Sequence, residues 1–319
     1  MKITEPHPNW HIDIIVADGF VLTEMAAVVD TLRIANRVSA LPPFGWTYRS
    51  KDGGVVAASC DAFVHTEPYT NRPDANYAFV IGNSNPDCPA LALGSVISSY
   101  TCRQGQVFLL AEAASRYIKD SGTDASVFTT HWENAEFLKE RSRHLEPNTA
   151  IASEHGGVIT CAGMETTVDV SLALIGRHVS SATKLTVANI LLHDKIRDFS
   201  TQQPFSGTKG TSTGDRDLDQ CIEIMQANFE DPLPIGELVG VMGMSNRSLE
   251  RKFKSHLGTT PNTFYRELRL AKANNLLVNT NMTVREVGLA CGFSNGFSGL
   301  YKSVYGMTPL ALRKRRRAS

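Results

Sequence analysis

The apolar and polar positions divide the chain into two unlike stretches. In the first, short apolar runs alternate with helical ones. HIDIIVADGF (11–20) is β-rich and ends in Asp-Gly, whereas TEMAAVVDTLRIANRV (23–38) repeats its apolar positions at helical spacing. YAFVIGN (77–83) has the continuous apolar character of a strand buried on both faces. GQVFLLAEAASRYIKD (105–120) reads as a helix, SVFTTHW (126–132) as a strand, and VITCAGMETTVDVSLALIGRHV (158–179) as a strand end followed by a helix. This alternation predicts an α/β domain with a mostly parallel sheet and helices on both faces. In such sheets ligands sit outside the carboxyl ends of the strands.

STQQPFSGTKGTSTG (200–214) carries almost no periodic apolar signal and reads as a flexible linker. Beyond it every segment looks helical, and two segments repeat. IGELVGVMGMSNRSLERKFKSHLGTTP (235–261) matches VREVGLACGFSNGFSGLYKSVYGMTP (284–309), with NTFYRELRLAKANNLLVN (262–279) between them. Gly243 pairs with Gly292, Ser245-Asn246 with Ser294-Asn295, and Phe253-Lys254 with Tyr301-Lys302, at an offset of 49 residues early and 48 late. Each copy reads as a short apolar helix, a glycine turn and a second helix, with Ser245 and Ser294 placed as N-caps. Leu249 and Phe253 would face the core, turning Arg247, Glu250, Arg251 and Lys254 outward. This is the helix-turn-helix layout, whose second helix enters the major groove. The expected organisation is an α/β domain over 1–199, a linker over 200–214, and an all-α domain with two helix-turn-helix motifs over 215–319.

Charge strengthens this division. The chain of 319 residues holds 32 Lys+Arg and 32 Asp+Glu, but residues 1–210 hold 17 and 22 whereas residues 211–319 hold 15 and 10. A basic module joined to an acidic one points to a nucleic-acid partner, and the RKRRR run (313–317) adds to it. A four-helix bundle with a merely solvated basic face is the plainer alternative, and the duplication argues against it. No apolar run reaches the roughly 18–20 residues that span a bilayer. The first residues lack the features of a signal peptide, so a cytoplasmic protein without membrane contact is expected. Six cysteines form no CxxC pair and the histidines show no metal spacing, so neither metal nor cofactor is expected.

Residues 215–317 resemble the DNA-binding domain of AraC/XylS-type transcription regulators over its whole length. The resemblance rests on LERKFK (249–254), GTTP (258–261), RLAKANNLL (269–277), VREVGLACGF (284–293) and GMTP (306–309). It implies two recognition helices in successive major grooves on one face of double-stranded DNA. Arg247, Glu250 and Arg251 would be base readers of the first, with Lys254 on phosphate. The chain departs from the family pattern at Gly296 and Gly299, which leaves Asn295 and Ser298 as candidate readers and Lys302 on phosphate. The first copy is therefore expected to carry most of the base specificity.

The first half is similar to the class I glutamine-amidotransferase-like fold, which a group of regulators joins to an AraC-type domain. The similarity rests on DGFVLTE (18–24), ANR (35–37), YRSKDGG (48–54), AEA (111–113), TTHWENA (129–135) and TCAGMETTVDVSLALI (160–175). Enzymes of that superfamily use a cysteine on a sharp strand-to-helix turn, with a histidine and an acid nearby. Glu24 matches the acid and His131 the histidine. Counting back from AEA puts the turn at Gln104-Gly105-Gln106, where no thiol occurs, and Cys102 falls two residues early. The resemblance thus implies no catalytic residue but a pocket lined by Glu24, Asn83, Cys102, Gln104, His131 and Trp132. A carboxylate beside an aromatic ring suits a cationic effector, and similar regulators respond to amino acids and quaternary amines. The implied protein is a homodimeric transcription activator that senses a small metabolite and engages RNA polymerase. The competing reading is a cysteine-dependent amidase or glyoxalase-like enzyme fused to a DNA-binding domain, with Cys102 as nucleophile.

Overall fold

The computed structural model describes residues 9–70, 72–141, 147–203 and 213–318. The chain forms two compact units, Met1–Thr201 and Gln202–Ser319.

The first unit runs β1 (Trp10–Ile15), α1 (Leu22–Val38), β2 (Phe44–Ser50), β3 (Asp52–Ala57), β4 (Phe63–Pro68), β5 (Tyr77–Val80), α2 (Gly94–Thr101), β6 (Gln106–Leu110), α3 (Glu112–Ser121), α4 (Trp132–Arg141), β7 (Ala152–His155), β8 (Val158–Cys161), α5 (Thr166–Ile175) and α6 (Ser181–Ile190). The sheet order is β3-β4-β2-β1-β5-β6-β8-β7. The six inner strands pair in parallel, and the outermost β3 and β7 pair antiparallel to their neighbours. Successive side chains of the central strands go to opposite faces. Ile12, Ile14, Phe79, Phe108 and Leu110 join Val28 and Leu32 of α1 and Val170 and Leu174 of α5 in one core. Ala78, Val80, Val107 and Leu109 join Ile97 of α2 and Ala114 of α3 in the other. Burial on both faces is what makes these strands continuously apolar. The chain builds outward from β1 through β2, then returns to the other side of β1 at β5, so the carboxyl ends of β1 and β5 flank a topological switch point.

Two segments differ from the sequence pattern. Residues 105–120 are not one helix: β6 occupies Gln106–Leu110 and α3 begins at Glu112. A short apolar run leading into an amphipathic helix has no period of its own, and the buried centre of a sheet decides it. SVFTTHW (126–132) forms no strand. A single 3-10 turn covers Ala125–Val127, Thr129 makes one isolated bridge to Asn148, and Trp132 opens α4.

The start of the stretch read as a linker is tied by Thr201 to the residue before β7, and Phe199 just ahead of it to β7 itself. Ile151 N–H donates to Thr201 O at 2.8 Å, and Ala152 N–H to Phe199 O at 3.3 Å. Residues 204–212 lie outside the described residues.

The second unit runs α7 (Arg216–Ala227), α8 (Ile235–Met242), α9 (Asn246–Leu257), α10 (Pro261–Asn279), α11 (Val284–Ala290), α12 (Phe297–Tyr305) and α13 (Pro309–Ala318). It has two cores, one for each copy of the repeat. Leu238, Leu249 and Phe253 pack with Leu218 and Met225 of α7, while Val287, Phe297 and Tyr301 pack with Leu276 and Leu277. The joining helix α10 serves both, with Tyr265 in the first core and Leu270 and Ala273 in the second. Among the described residues no helix is long and apolar enough to cross a membrane.

Candidate functional site: strand-end cluster and helix-turn-helix surfaces

Four strand ends meet at the switch point, and one carboxylate ties two of them together. Glu24, on the first turn of α1, is fully buried. Its Oε2 accepts the Gly82 N–H at 2.8 Å beyond β5, and its Oε1 accepts the Met164 N–H at 2.9 Å beyond β8. Burial pushes its pKa up to about 7, against the pull of these two donors. Close packing requires both neighbouring glycines. A Cβ on Gly163 would stand 2.2 Å from Glu24 Oε1 and 2.7 Å from Ala111 Cβ, and one on Gly82 would stand 2.7 Å from Glu112 Oε2.

Ala111 is the sharp turn between β6 and α3, with φ 41° and ψ −105°. A positive φ at a non-glycine residue costs conformational energy and persists only where the surroundings over-determine it. Here the Ala111 N–H donates to Cys161 O at 2.9 Å, while Thr130 Oγ1 donates to Ala111 O at 2.9 Å. The side chain at this strand-to-helix turn is a methyl group.

The sequence count misplaced that turn by seven residues. Gln104 and Cys102 lie before β6, at the amino end of the sheet, and are not brought to Glu24. Cys102 is an exposed residue at the end of α2. Gln104 instead lines a cavity of about 520 Å³ with Trp10, Tyr77, Arg103 and Arg177. The error arose because the apolar run VFLL was read as helix, which hid the end of a strand. Glu24 and Asn83 do come together: Asn83 follows Gly82, and its Nδ2 donates to Asp18 O at 2.6 Å. His131 and Trp132 follow Thr130 beside the turn and lie ring to ring, centroids 5.4 Å apart. Burial lowers the His131 pKa, which the neighbouring Glu133 opposes.

The residue that the sequence reading missed is Glu112, immediately after the turn. Its Oε2 accepts the Asn83 N–H at 3.2 Å and its Oε1 accepts Asn134 Nδ2 at 3.1 Å. Burial raises its pKa, and the bonds from Asn134 and Asn83 work against that rise. The signal was present in AEA (111–113), but only the position of the turn gives it meaning. Cys161 is fully buried at the end of β8, and burial pushes its thiol up to about 12, so it is an inert core residue.

In the second unit each second helix of the repeat fully buries two residues and turns most of the others to solvent. On α9, Leu249 and Phe253 are fully buried. Arg247, Glu250, Arg251 and Lys254 are exposed and line a concavity of about 590 Å³ with Ser245 and Ser248. Ser245 caps the helix, its side chain accepting the Ser248 N–H at 3.2 Å. On α12 the buried pair is Phe297 and Tyr301, leaving Asn295, Ser298, Gly299 and Lys302 exposed. Superposing the buried pairs sets Arg247 against Asn295, Glu250 against Ser298, Arg251 against Gly299, and Lys254 against Lys302. Ser294 is not a cap, contrary to the repeat pattern. Gly296, in the left-handed conformation at φ 74°, precedes the first turn of α12 instead. In the RKRRR run, Lys314 and Arg315 are exposed on α13; the side chains of Arg316 and Arg317 lie outside the described residues.

Residues 238–315 match a family described as a helix-turn-helix domain. Over nearly the whole length, the chain is similar to the HTH-type transcriptional regulator GbdR of Pseudomonas aeruginosa, 28% identical over 315 residues covering 93% of this chain and 82% of that protein. It is also similar to the HTH-type transcriptional regulator GlxA of Rhizobium meliloti, 29% identical over 316 residues covering 95% of each. Among solved structures, an AraC family transcriptional regulator from Pseudomonas putida superposes with a TM-score of 0.51 at 18% identity, covering 57% of this chain and 99% of that one. That share exceeds the helical unit, so the shared fold includes the sheet.

Proposed function

We propose that this chain, a DNA-binding transcription regulator of the AraC family with a class I glutamine-amidotransferase-like first domain, holds a small metabolite at its strand-end cluster and reports it to DNA. The observation that carries this reading is Ala111. A turn shaped to present a nucleophile carries a methyl group, which cannot attack, so the cluster is suited to binding rather than turnover. Partly exposed Glu112 offers a carboxylate, and Trp132, two residues before the Asn134 that bonds it, offers an aromatic face. Those features favour a cationic nitrogen, as in an amino acid or a quaternary amine. Regulation then requires the effector to bind one state of the protein better than another. On this reading the protein works in the cytoplasm as a homodimeric activator that contacts RNA polymerase at the promoter.

Calorimetry of the full chain with the proteinogenic amino acids, choline and tetramethylammonium tests the effector site. One of them should bind, and Glu112→Gln or Trp132→Ala should weaken that binding by about tenfold, on the order of 1.4 kcal/mol. Cys102→Ser and Gln104→Ala should leave it unchanged, because both residues lie at the other end of the sheet. No binding across the panel, or equal binding by Glu112→Gln and Trp132→Ala, rejects this site.

A further inference from the structure

The two recognition helices offer DNA different chemistry, and the second has an apolar surface that base reading mainly by the first copy leaves unexplained. Beside α12 a concavity of about 490 Å³ is lined by Arg285, Gly288, Leu289, Phe293, Gly296 and Gly299, among others. Leu289 is 49% exposed, although it stands on a helix whose neighbours Val287 and Gly288 are buried. Around Gly296 and Gly299 the space that a side chain would fill is open. In the first copy the concavity along α9 is lined by polar and charged residues, and Gly240 stands where the second copy has Leu289. Exposed cations flank the second surface as they do the first, with Arg285 on α11 and Lys302 on α12.

We propose that the second helix-turn-helix reads thymine through its C5-methyl group, seated in the concavity formed by Leu289, Gly296 and Gly299. This rests on the reading of α9 and α12 as major-groove helices. Within the major groove the thymine methyl is the one apolar group on a base edge, and apolar side chains recognise it by contact. The surface is continuous with the face that Asn295, Ser298 and Lys302 present, so a duplex held there brings its base edges to it. Arg285 and Lys302 hold the flanking phosphates. The binding site on DNA is therefore chemically asymmetric: guanine-dependent beneath α9, where Arg247 and Arg251 offer bidentate donors, and thymine-dependent beneath α12.

The test begins by selecting preferred duplexes from a random pool with the full chain. The half that loses its preference in Arg251→Ala marks the position of α9. Thymines are then replaced one at a time by deoxyuridine, which removes only the methyl group. A deoxyuridine in the α12 half should weaken binding by about fourfold, the effect of exposing one buried methyl. In the α9 half it should change little, whereas 7-deazaguanine should weaken binding there. Leu289→Ala, a substitution at an exposed position, should abolish the deoxyuridine effect. Gly299→Arg should fill the concavity and replace thymine dependence in that half with guanine dependence. Deoxyuridine effects below twofold in the α12 half, or effects that persist in Leu289→Ala, overturn the inference while leaving sequence-specific DNA binding intact. A pool that yields no preferred duplex overturns both.

Discussion

In the first helix-turn-helix, Leu249 and Phe253 anchor a helix that presents two arginines, a glutamate and a lysine. In the second, Phe297 and Tyr301 anchor a helix that presents asparagine, serine, glycine and the same lysine. The two buried anchor positions and the lysine persist, while the other three exposed positions change. The buried pair maintains the packing of the second helix in each copy, and an exposed lysine follows it in both. The other exposed positions are free to diverge, because changing an exposed side chain on a helix costs little stability. The two copies also start their second helices differently, with a serine cap in one and a left-handed glycine in the other.

The largest effect should come from the anchors. Phe253→Ala removes a fully buried ring and should cost about 3–5 kcal/mol in a urea unfolding experiment. Since each copy has its own core, footprinting of this variant should lose the α9 half of the site first. Simultaneous loss of both halves would mean that the copies fold as one unit and that the comparison by copy is misplaced.

Base reading comes next. Arg251→Ala and Arg247→Ala should each weaken binding to the preferred duplex by about 1–3 kcal/mol and leave random duplex almost unaffected. Ser298→Ala should change preferred binding by less than about 0.5 kcal/mol. Equal losses on both duplexes would make the arginines phosphate contacts and erase the difference between the helices.

The caps should separate the copies more gently. Ser245→Ala should destabilise the helical unit by about 1 kcal/mol, and Ser294→Ala by well under half of that, because only Ser245 bonds the first turn. Matching losses in thermal unfolding would restore the symmetry that the repeat suggests. Smallest of all is the expected difference between the lysines. Lys254→Ala and Lys302→Ala should each reduce the salt dependence of DNA binding by about one unit of slope. Markedly unequal slopes would show that only one helix sits against phosphate.

Much of the fold was legible along the chain. The two-faced burial of YAFV, the amphipathic α1, and the duplication with its buried pairs all follow from spacing that a strand or helix imposes locally. The strand-end cluster was legible only in part. Glu24 and His131 stood out through motifs, but Ala111 and Glu112 depend on where β6 stops. That point is set by pairing of β6 with β5 and β8, which no local period reports. The same cause moved Cys102 and Gln104 to the wrong end of the sheet.

The sequence by itself determined two units of opposite charge, an alternating α/β half, and a repeated pair of helices with a basic outward face. It could do so because periodicity and charge are properties of neighbours along the chain. Tertiary structure alone decided which residues share the switch point, because Glu24, Gly82, Ala111, Glu112 and Met164 arrive there from four different strand ends. It also decided that Gly296 rather than Ser294 opens α12, since the packing of Phe297 and Tyr301 in the second core sets where that helix begins.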